Sequence, residues 1–143
     1  MAYYADLSSC TYFGDGHALV AIGWLERGNH FPIAARDPRV YQRLVELAVD
    51  PWQPMVAPGS LGCTLCEYEP EKLGAKNIFI PGHGFLYVCP ELIGHYMNAH
   101  GYGPPEEFCE AVLRCPPMRS MAYLKAVLAN GGKSLTKEFR EGI

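Results

Sequence analysis

The pattern of apolar and polar positions predicts short elements separated by many turns. Residues 18–25 (ALVAIGWL) form an apolar run that stops at a glycine turn, which predicts a buried strand. Asp37 and Pro38 are typical of a helix start, because aspartate caps free amides and proline fits the first turn. Apolar residues then recur at helical spacing through about Val49, and Pro51 ends the pattern.

The second half of the chain predicts a hairpin followed by three helices. Residues 76–80 (KNIFI) and 85–89 (FLYVC) flank a Pro-Gly-His-Gly turn, as the strands of a hairpin do. Prolines and glycines delimit the helical patterns, which cover about residues 90–100, 105–114 and 118–129. We therefore expect one α+β domain over residues 1–143, with a small antiparallel sheet, a hairpin-plus-helix unit and flanking helices.

Composition limits the classes of function. With 143 residues the chain can bury a core, and 49% hydrophobic and 19% charged residues are typical of a folded domain. The formal net charge is -3, and no run of lysine or arginine forms a basic face, which argues against nucleic-acid binding. The first residues lack a signal-peptide pattern, and no apolar run approaches the roughly 20 residues of a membrane span. We expect a cytoplasmic protein without a membrane segment, whose six cysteines stay reduced.

Two cysteines and two histidines have the spacing of a zinc site. Cys63 and Cys66 form a Cys-x2-Cys pair in a glycine-rich turn, where two thiolates can point at one ion. His95 and His100 form a His-x4-His pair at the end of a predicted helix, after a gap of 28 residues. Two thiolates and two imidazoles suit tetrahedral zinc best. The sequence thus predicts a structural zinc held by these four residues, in a zinc-finger-like segment of about residues 60–102.

The spacing of the two histidines imposes a geometric condition. On an ideal helix five residues turn through about 500°, so His95 and His100 would point roughly 140° apart. They can share a metal only if the last turn is distorted, and the glycine after His100 marks a position where helices fray and tighten. Two metal-free alternatives stay open: a redox-active pair of Cys63 and Cys66, and histidines that interact only with the helix dipole.

Other cysteines and histidines are weaker candidates. His83 in the hairpin turn and Cys89 at the end of a predicted strand are alternatives to His100 as the fourth ligand. An exposed turn residue and a core thiol are the simpler interpretations of these two positions. His30 lies in a loop, where hydrogen bonds within a turn are the simpler role. The remaining cysteines have no partner at ligand spacing and are expected to be buried thiols: Cys10, Cys109 and Cys115.

Four short motifs are specific in combination. They are a Tyr-Tyr-Ala-Asp-Leu opening, a Gly-Trp-Leu-x-Arg-Gly-x2-Phe-Pro segment, the Cys-x2-Cys pair, and a His-Tyr-x3-His-Gly-Tyr-x-Pro-Pro-x2-Phe segment. Together, over residues 3 to about 112, they resemble a family of small bacterial proteins with no assigned function. The resemblance implies that the cysteine pair and the two histidines occur together, and that the position of Cys89 is usually a small residue. It supports the four-ligand set and implies no reaction.

The favoured function is a non-enzymatic protein-binding domain held together by zinc. A closed site with four protein ligands leaves no coordination position for a substrate. The net negative charge of the chain suits a protein partner. A toxin-neutralising (immunity) protein is one concrete form. A zinc-dependent hydrolase or nuclease is an alternative that needs an open coordination position and a carboxylate base, for which Glu67, Glu69 and Glu91 are nearest in sequence. A zinc-finger transcription regulator is a third, disfavoured because the helix of residues 90–100 has no lysine or arginine.

Overall fold

A three-stranded sheet with four helices around it forms the described part of the fold. The structure is a computed structural model that describes residues 3–54, 61–66, 72–73 and 76–136. A further helical segment covers residues 133–136. The predicted α+β class is confirmed. In chain order the elements are β1 (Leu19–Ala21), α1 (Pro38–Leu47), β2 (Leu61–Gly62), β3 (Lys72–Leu73), β4 (Asn77–Pro81), β5 (Leu86–Pro90), α2 (Ile93–His100), α3 (Glu106–Arg114) and α4 (Met121–Ala129).

The main sheet is mixed, which corrects the expectation of a purely antiparallel one. The predicted hairpin is present as β4 and β5, with Phe79 opposite Val88. On its other edge β5 pairs in parallel with β1, with Val20 opposite Tyr87. Parallel neighbours need a long crossover connection, and the chain between β1 and β5 supplies one that includes α1. All five residues of β5 are buried, as expected for a central strand covered on both faces.

Local capping signals explain where two of the helices begin. The Asp37 carboxylate accepts the Arg39 amide at 2.9 Å, and α1 starts at Pro38 as predicted. Ser120 caps α4 in the same way, by accepting the Tyr123 amide at 3.1 Å. Helix α2 begins at Ile93, later than the predicted residue 90, because the chain stays paired in β5 through Pro90.

The core joins the sheet to the helices and to the irregular N-terminal segment. Helix α1 packs on α2 and α3, and both α3 and α4 contact β4. Trp24 is fully buried and donates its indole hydrogen bond to the Val88 carbonyl at 3.0 Å. Tyr4 forms an isolated antiparallel bridge with Trp24, so the N-terminal segment lies along the chain after β1. Within the described residues, no helix is both long and apolar enough to span a bilayer.

A second, smaller ribbon lies outside the main sheet. Strands β2 and β3 pair antiparallel, with the backbone of Leu61 opposite that of Leu73. The Cys63–Cys66 pair directly follows β2, so the two cysteines lie at the end of a strand of the small ribbon and not in the main sheet. The β4–β5 hairpin, which the sequence grouped with the cysteines in a finger-like unit, is instead the centre of the domain. The two cysteines therefore approach α2 from outside the main sheet.

Candidate metal centre

Four side chains converge on one point between the cysteine turn and the end of α2. One ligand atom from each of Cys63, Cys66, His95 and His100 lies within 4.8 Å of all the others. The Cys66 sulfur is 3.3 Å from Nε2 of His95 and 3.5 Å from Nε2 of His100. The Cys63 sulfur is 3.4 Å from the same atom of His100. The four residues predicted as ligands are thus close together and could bind a metal ion, and they form the candidate metal-binding group.

The spacing of these atoms fits the edges of a small coordination tetrahedron. Zinc binds sulfur at about 2.3 Å and imidazole nitrogen at about 2.0–2.1 Å. At tetrahedral angles these bond lengths place sulfur and nitrogen about 3.6 Å apart. The three sulfur–nitrogen distances of 3.3–3.5 Å are close to this value. The donor set and its size therefore suit a tetrahedral ion.

Arg27 holds the cysteine turn in place. Its backbone amide donates to the Thr64 hydroxyl at 3.0 Å, and its guanidinium donates to the Cys66 carbonyl at 2.8 Å. Thr64 and Cys66 belong to the cysteine turn itself, so Arg27 forms hydrogen bonds to this turn at two positions. The sequence alone predicts no role for Arg27. Arg27 does belong to the Gly-Trp-Leu-x-Arg-Gly motif. The motif does not reveal that Arg27 contacts the cysteine turn, because the two segments are far apart in sequence.

The end of α2 is closed by hydrogen bonds to one carbonyl. The Gly101 amide is directed at the Tyr96 carbonyl, five residues back, and the Tyr102 amide donates to that same carbonyl at 3.1 Å. Bonds to a carbonyl five or six residues back are typical of an α-helix that ends at a left-handed residue. The helix keeps its α form up to His100, so the distortion that the spacing required is not seen within Ile93–His100. The two side chains instead bring Nε2 of each histidine within 3.5 Å of the Cys66 sulfur.

Glycine at position 101 makes this ending possible. Gly101 has φ of 69°, in the left-handed region where glycine carries no steric penalty. The chain turns sharply at this residue, so His100 stays at the edge of the helix and faces the cysteine turn. The rings of His95 and His100 meet nearly edge-on, with centroids 5.1 Å apart and planes at 78°.

Burial sets the protonation tendencies of two of these groups. Cys63 is only 1% exposed, and burial raises the pKa of its thiol, while hydrogen bonds from the Leu65 and Cys66 amides act in the opposite direction. Burial, together with the neighbouring His95, lowers the pKa of His100. A neutral imidazole is the form that binds a metal, and amide donors stabilise a thiolate. The turn amides and the environment of His100 both favour the metal-binding forms.

The alternative ligands lie elsewhere. His83 is exposed in the hairpin turn, with Nε2 3.4 Å from the Arg114 guanidinium. Cys89 is fully buried and donates its thiol to the Ile78 carbonyl at 3.8 Å. Neither belongs to the four-residue group, so the structure does not support either as a substitute for His100. His30 is exposed in its loop.

Three further cysteines match the expected role of core thiols to different degrees. Cys10 and Cys115 are buried, and Cys109 is half-buried on α3. Glu67 and Glu69 lie outside the described residues, and Glu91 is not a member of the metal-binding group. Among the described residues this group thus contains no carboxylate.

Comparison with known proteins gives a family and no function. A family model described as "Domain of unknown function (DUF7919)" matches residues 2–113. The match includes all four residues of the metal-binding group and agrees with the resemblance to an uncharacterised family. No curated protein and no solved structure matches the chain.

Proposed function

The chain belongs to the DUF7919 family, whose description names no activity. We therefore infer that its function follows from the geometry of the candidate metal centre. The proposal is a zinc-stabilised protein-binding domain. The observation that carries it is the group of two sulfurs and two nitrogens within 4.8 Å of one another, formed by side chains from a turn and a helix end. Such a group joins the cysteine turn to the end of α2.

Zinc is the metal that this donor set favours. Thiolate and imidazole ligands in a tetrahedral arrangement suit zinc, whereas magnesium and calcium prefer oxygen ligands. Four protein ligands complete the tetrahedral shell, which is typical of structural rather than catalytic zinc. Apparent binding free energies of about 10–16 kcal/mol are available from such sites for stabilising a fold.

An enzymatic role has less support. A zinc hydrolase keeps one coordination position open and places a carboxylate or histidine base beside it. Here the four donors would fill the shell, and among the described residues no carboxylate joins them. A zinc-finger regulator also has less support, because α2 carries no lysine or arginine with which to contact a phosphate or a guanine.

A groove between α1 and α2 supports the protein-binding part of the proposal. Its volume is about 520 Å³. Val49 is 74% exposed and Val45 is 42% exposed at its edge, and exposed apolar surface of this kind marks sites of interaction. Its apolar walls include Leu44, Val45, Ala48, Val49, Ile78 and Ile93.

The charges around the groove indicate which partner it fits. Glu91 is the only charged side chain among the described residues that line it, and burial raises the pKa of this carboxyl. A cation beside Glu91 would replace the solvation that its carboxylate has lost. We take the occupant to be an amphipathic helix of another protein, with apolar residues in the groove and a lysine or arginine facing Glu91.

The groove and the metal centre share a residue. His95 lines the groove and also belongs to the metal-binding group. Metal loss would release His95 from the cysteine turn and disturb one wall of the groove. Partner binding is therefore expected to depend on the metal. An immunity protein that neutralises a toxin is a concrete form of this function, since its partner would be a protein bound through such a surface.

The metal part of the proposal is tested on the purified protein. Elemental analysis should find one zinc per chain, and a cobalt-substituted form should show the visible bands of a four-coordinate ion with two thiolates. Chelation should lower the melting temperature. Protein without stoichiometric metal, or a cobalt spectrum of a five- or six-coordinate ion with water bound, would contradict a closed structural zinc.

The partner is sought by affinity capture from the source cell with a matched pair of variants. Val45→Asp adds a charge in the groove, while Leu113→Asp adds one at an equally exposed apolar position on α3, since both residues are 42% exposed. The partner should be lost with Val45→Asp and with chelated protein, and kept with Leu113→Asp. Equal capture by both variants, or self-association that only Val45→Asp removes, would overturn the proposed partner. A partner that is toxic alone would support the immunity form.

A further inference from the structure

Gly94 is a glycine in the first turn of α2 that the described part of the chain does not require. Glycine weakens a helix relative to alanine, so its presence needs a reason. The backbone supplies none, because residue 94 is helical and has no positive φ. Packing supplies none either, since a Cβ atom here would meet only the Tyr41 ring among the described residues, at an ordinary contact distance of 3.8 Å. The space above Gly94 is therefore open to a group that the described residues do not supply.

This open space belongs to the groove between α1 and α2. Gly94 lines the groove, and so do Glu91 before it and Asn98 one turn after it. The distance between two packed helices depends on the side chains at their contact, and a residue without a side chain allows the closest approach. A helix bound in this groove would therefore come nearest to α2 at Gly94.

Glu91 places a negative charge on one side of Gly94. Its half-buried carboxylate accepts the Lys76 backbone amide at 3.4 Å. No cationic side chain that the structure describes forms an ion pair with it. A carboxylate has two oxygens that accept hydrogen bonds, so Glu91 has capacity for a cation from a partner.

Arg36 places a positive charge on the other side of Gly94. Its guanidinium donates to Oδ1 of Asn98 and lies over the Tyr41 ring, with Cζ 4.5 Å from the ring centroid. Both of these residues line the groove, so the guanidinium is held at the edge of the groove. Arg36 is exposed, and no carboxylate within the described ranges forms an ion pair with it. A guanidinium has five donors, so most of them remain for an acidic group of a partner.

We propose that the partner helix lies along α2 with its closest approach at Gly94, a cationic side chain against Glu91 and a carboxylate against Arg36. This inference rests on the protein-binding function proposed above and specifies its partner. The apolar walls of the groove attract an apolar helix face without fixing its position along the groove. Two opposite charges and one point of close approach fix that position.

The spacing of these features predicts a sequence pattern in the partner. Glu91 and Asn98, which holds Arg36, are seven positions apart, and seven helical residues span about 10 Å. A helix that lies along α2 has the same rise, so its two charged residues should be seven positions apart on one face. A small residue, such as glycine or alanine, is expected between them, where the two helices come closest.

A displayed library of amphipathic helices, each about 14 residues long, tests this pattern with a defined probe. Every member has apolar residues at helical spacing, and the other positions vary among lysine, glutamate, glutamine and alanine. The bait is the purified full chain, and helices that also bind the Val45→Asp variant are discarded, so that only groove-bound helices remain. These should carry lysine and glutamate seven positions apart, in either order. With Arg36→Glu as the bait, a second lysine should replace the glutamate.

Two variants then test the contacts of one selected peptide. Gly94→Ala should weaken its binding about 10-fold or more, because the added methyl group pushes the two helices apart, while the variant chain should be equally stable or more stable. Arg36→Glu should weaken binding about 10-fold, since two carboxylates then face each other. Fluorescence anisotropy measures the affinity. Ala99→Leu and Lys125→Glu are the matched controls at exposed positions outside the groove, and both should bind the peptide as wild type does.

The possible results separate this inference from the function on which it rests. Suppose that groove-bound helices are recovered but lack the charge pair, or that they bind Gly94→Ala as tightly as wild type. The inference would then be wrong, while the groove would remain a protein-binding site. A selection that recovers no groove-bound helix would overturn the inference and the proposed helical partner together.

Discussion

Tyr102 donates a hydrogen bond from its hydroxyl to Oδ2 of Asp6 at 2.8 Å, across 96 positions of sequence. Oδ1 of the same carboxylate accepts the Gly23 amide at 3.0 Å. Asp6 thereby joins the N-terminal segment, the chain after β1 and the residue two positions after His100. All three positions belong to motifs that the sequence shows far apart.

Tyr102→Phe should lower the free energy of unfolding by about 1–3 kcal/mol, because it removes a half-buried hydrogen bond to a carboxyl oxygen. Chemical denaturation measures the loss. Asp6→Asn is the companion variant, since an amide oxygen can still accept from Gly23. A double-mutant cycle of the two should show coupling. Additive losses would mean that the hydroxyl and the carboxylate act independently.

Cys66→Ser should abolish stoichiometric metal binding. The Cys66 sulfur approaches both histidines, and a serine hydroxyl is a poor zinc ligand at neutral pH. Elemental analysis and the melting temperature report the loss. Cys109→Ser is the control, because this half-buried thiol contacts the Pro104 carbonyl at 3.8 Å and lies outside the metal-binding group. Equal metal content in the two variants would count against Cys66 as a ligand.

Gly101→Ala should weaken both folding and metal binding. Position 101 has φ of 69°, and an alanine there costs about 1–2 kcal/mol or shifts the helix end that presents His100. Asparagine tolerates this conformation better, so Gly101→Asn should retain more of the zinc affinity. The order glycine, asparagine, alanine is expected in a chelator competition. If all three bind zinc equally, the left-handed residue does not position His100.

Glu91→Gln should change how stability depends on pH. Burial raises the pKa of Glu91 in the folded chain above its ordinary value of 4.5, although the backbone and the charge of Lys76 oppose this. Well below pH 4.5 the carboxyl is protonated in both the folded and the unfolded chain. As pH rises from there through the higher folded pKa, the unfolded chain releases the proton first, so wild type loses stability relative to glutamine.

The measurement is the difference in unfolding free energy between Glu91→Gln and wild type at a series of pH values. The Glu91→Gln variant should gain stability relative to wild type as the pH rises from 4.5 through the folded pKa of Glu91. At higher pH the difference in unfolding free energy should level off. Comparing the two proteins at each pH cancels the effect of acid on the metal ligands. A difference that stays constant across the range would show that burial of Glu91 has no energetic consequence.

Local features of the sequence predicted local features of the structure. Asp37 and Pro38 start α1, and the β4–β5 hairpin forms around its glycine turn, because capping and turn chemistry act within a few residues. The four residues of the metal-binding group were also predictable, since ligand chemistry is visible in residue type and spacing. That these residues bind zinc in solution stays a prediction.

Tertiary structure alone decided how the segments meet. The parallel pairing of β1 with β5, the grip of Arg27 on the cysteine turn and the bond between Asp6 and Tyr102 join residues dozens of positions apart. The spacing of apolar residues along the sequence does not predict these long-range pairs, because each of them depends on the packing of the whole core. Residue types and spacing therefore determined which groups could bind a metal, and the fold decided that the cysteine turn and the end of α2 would bring them to one point.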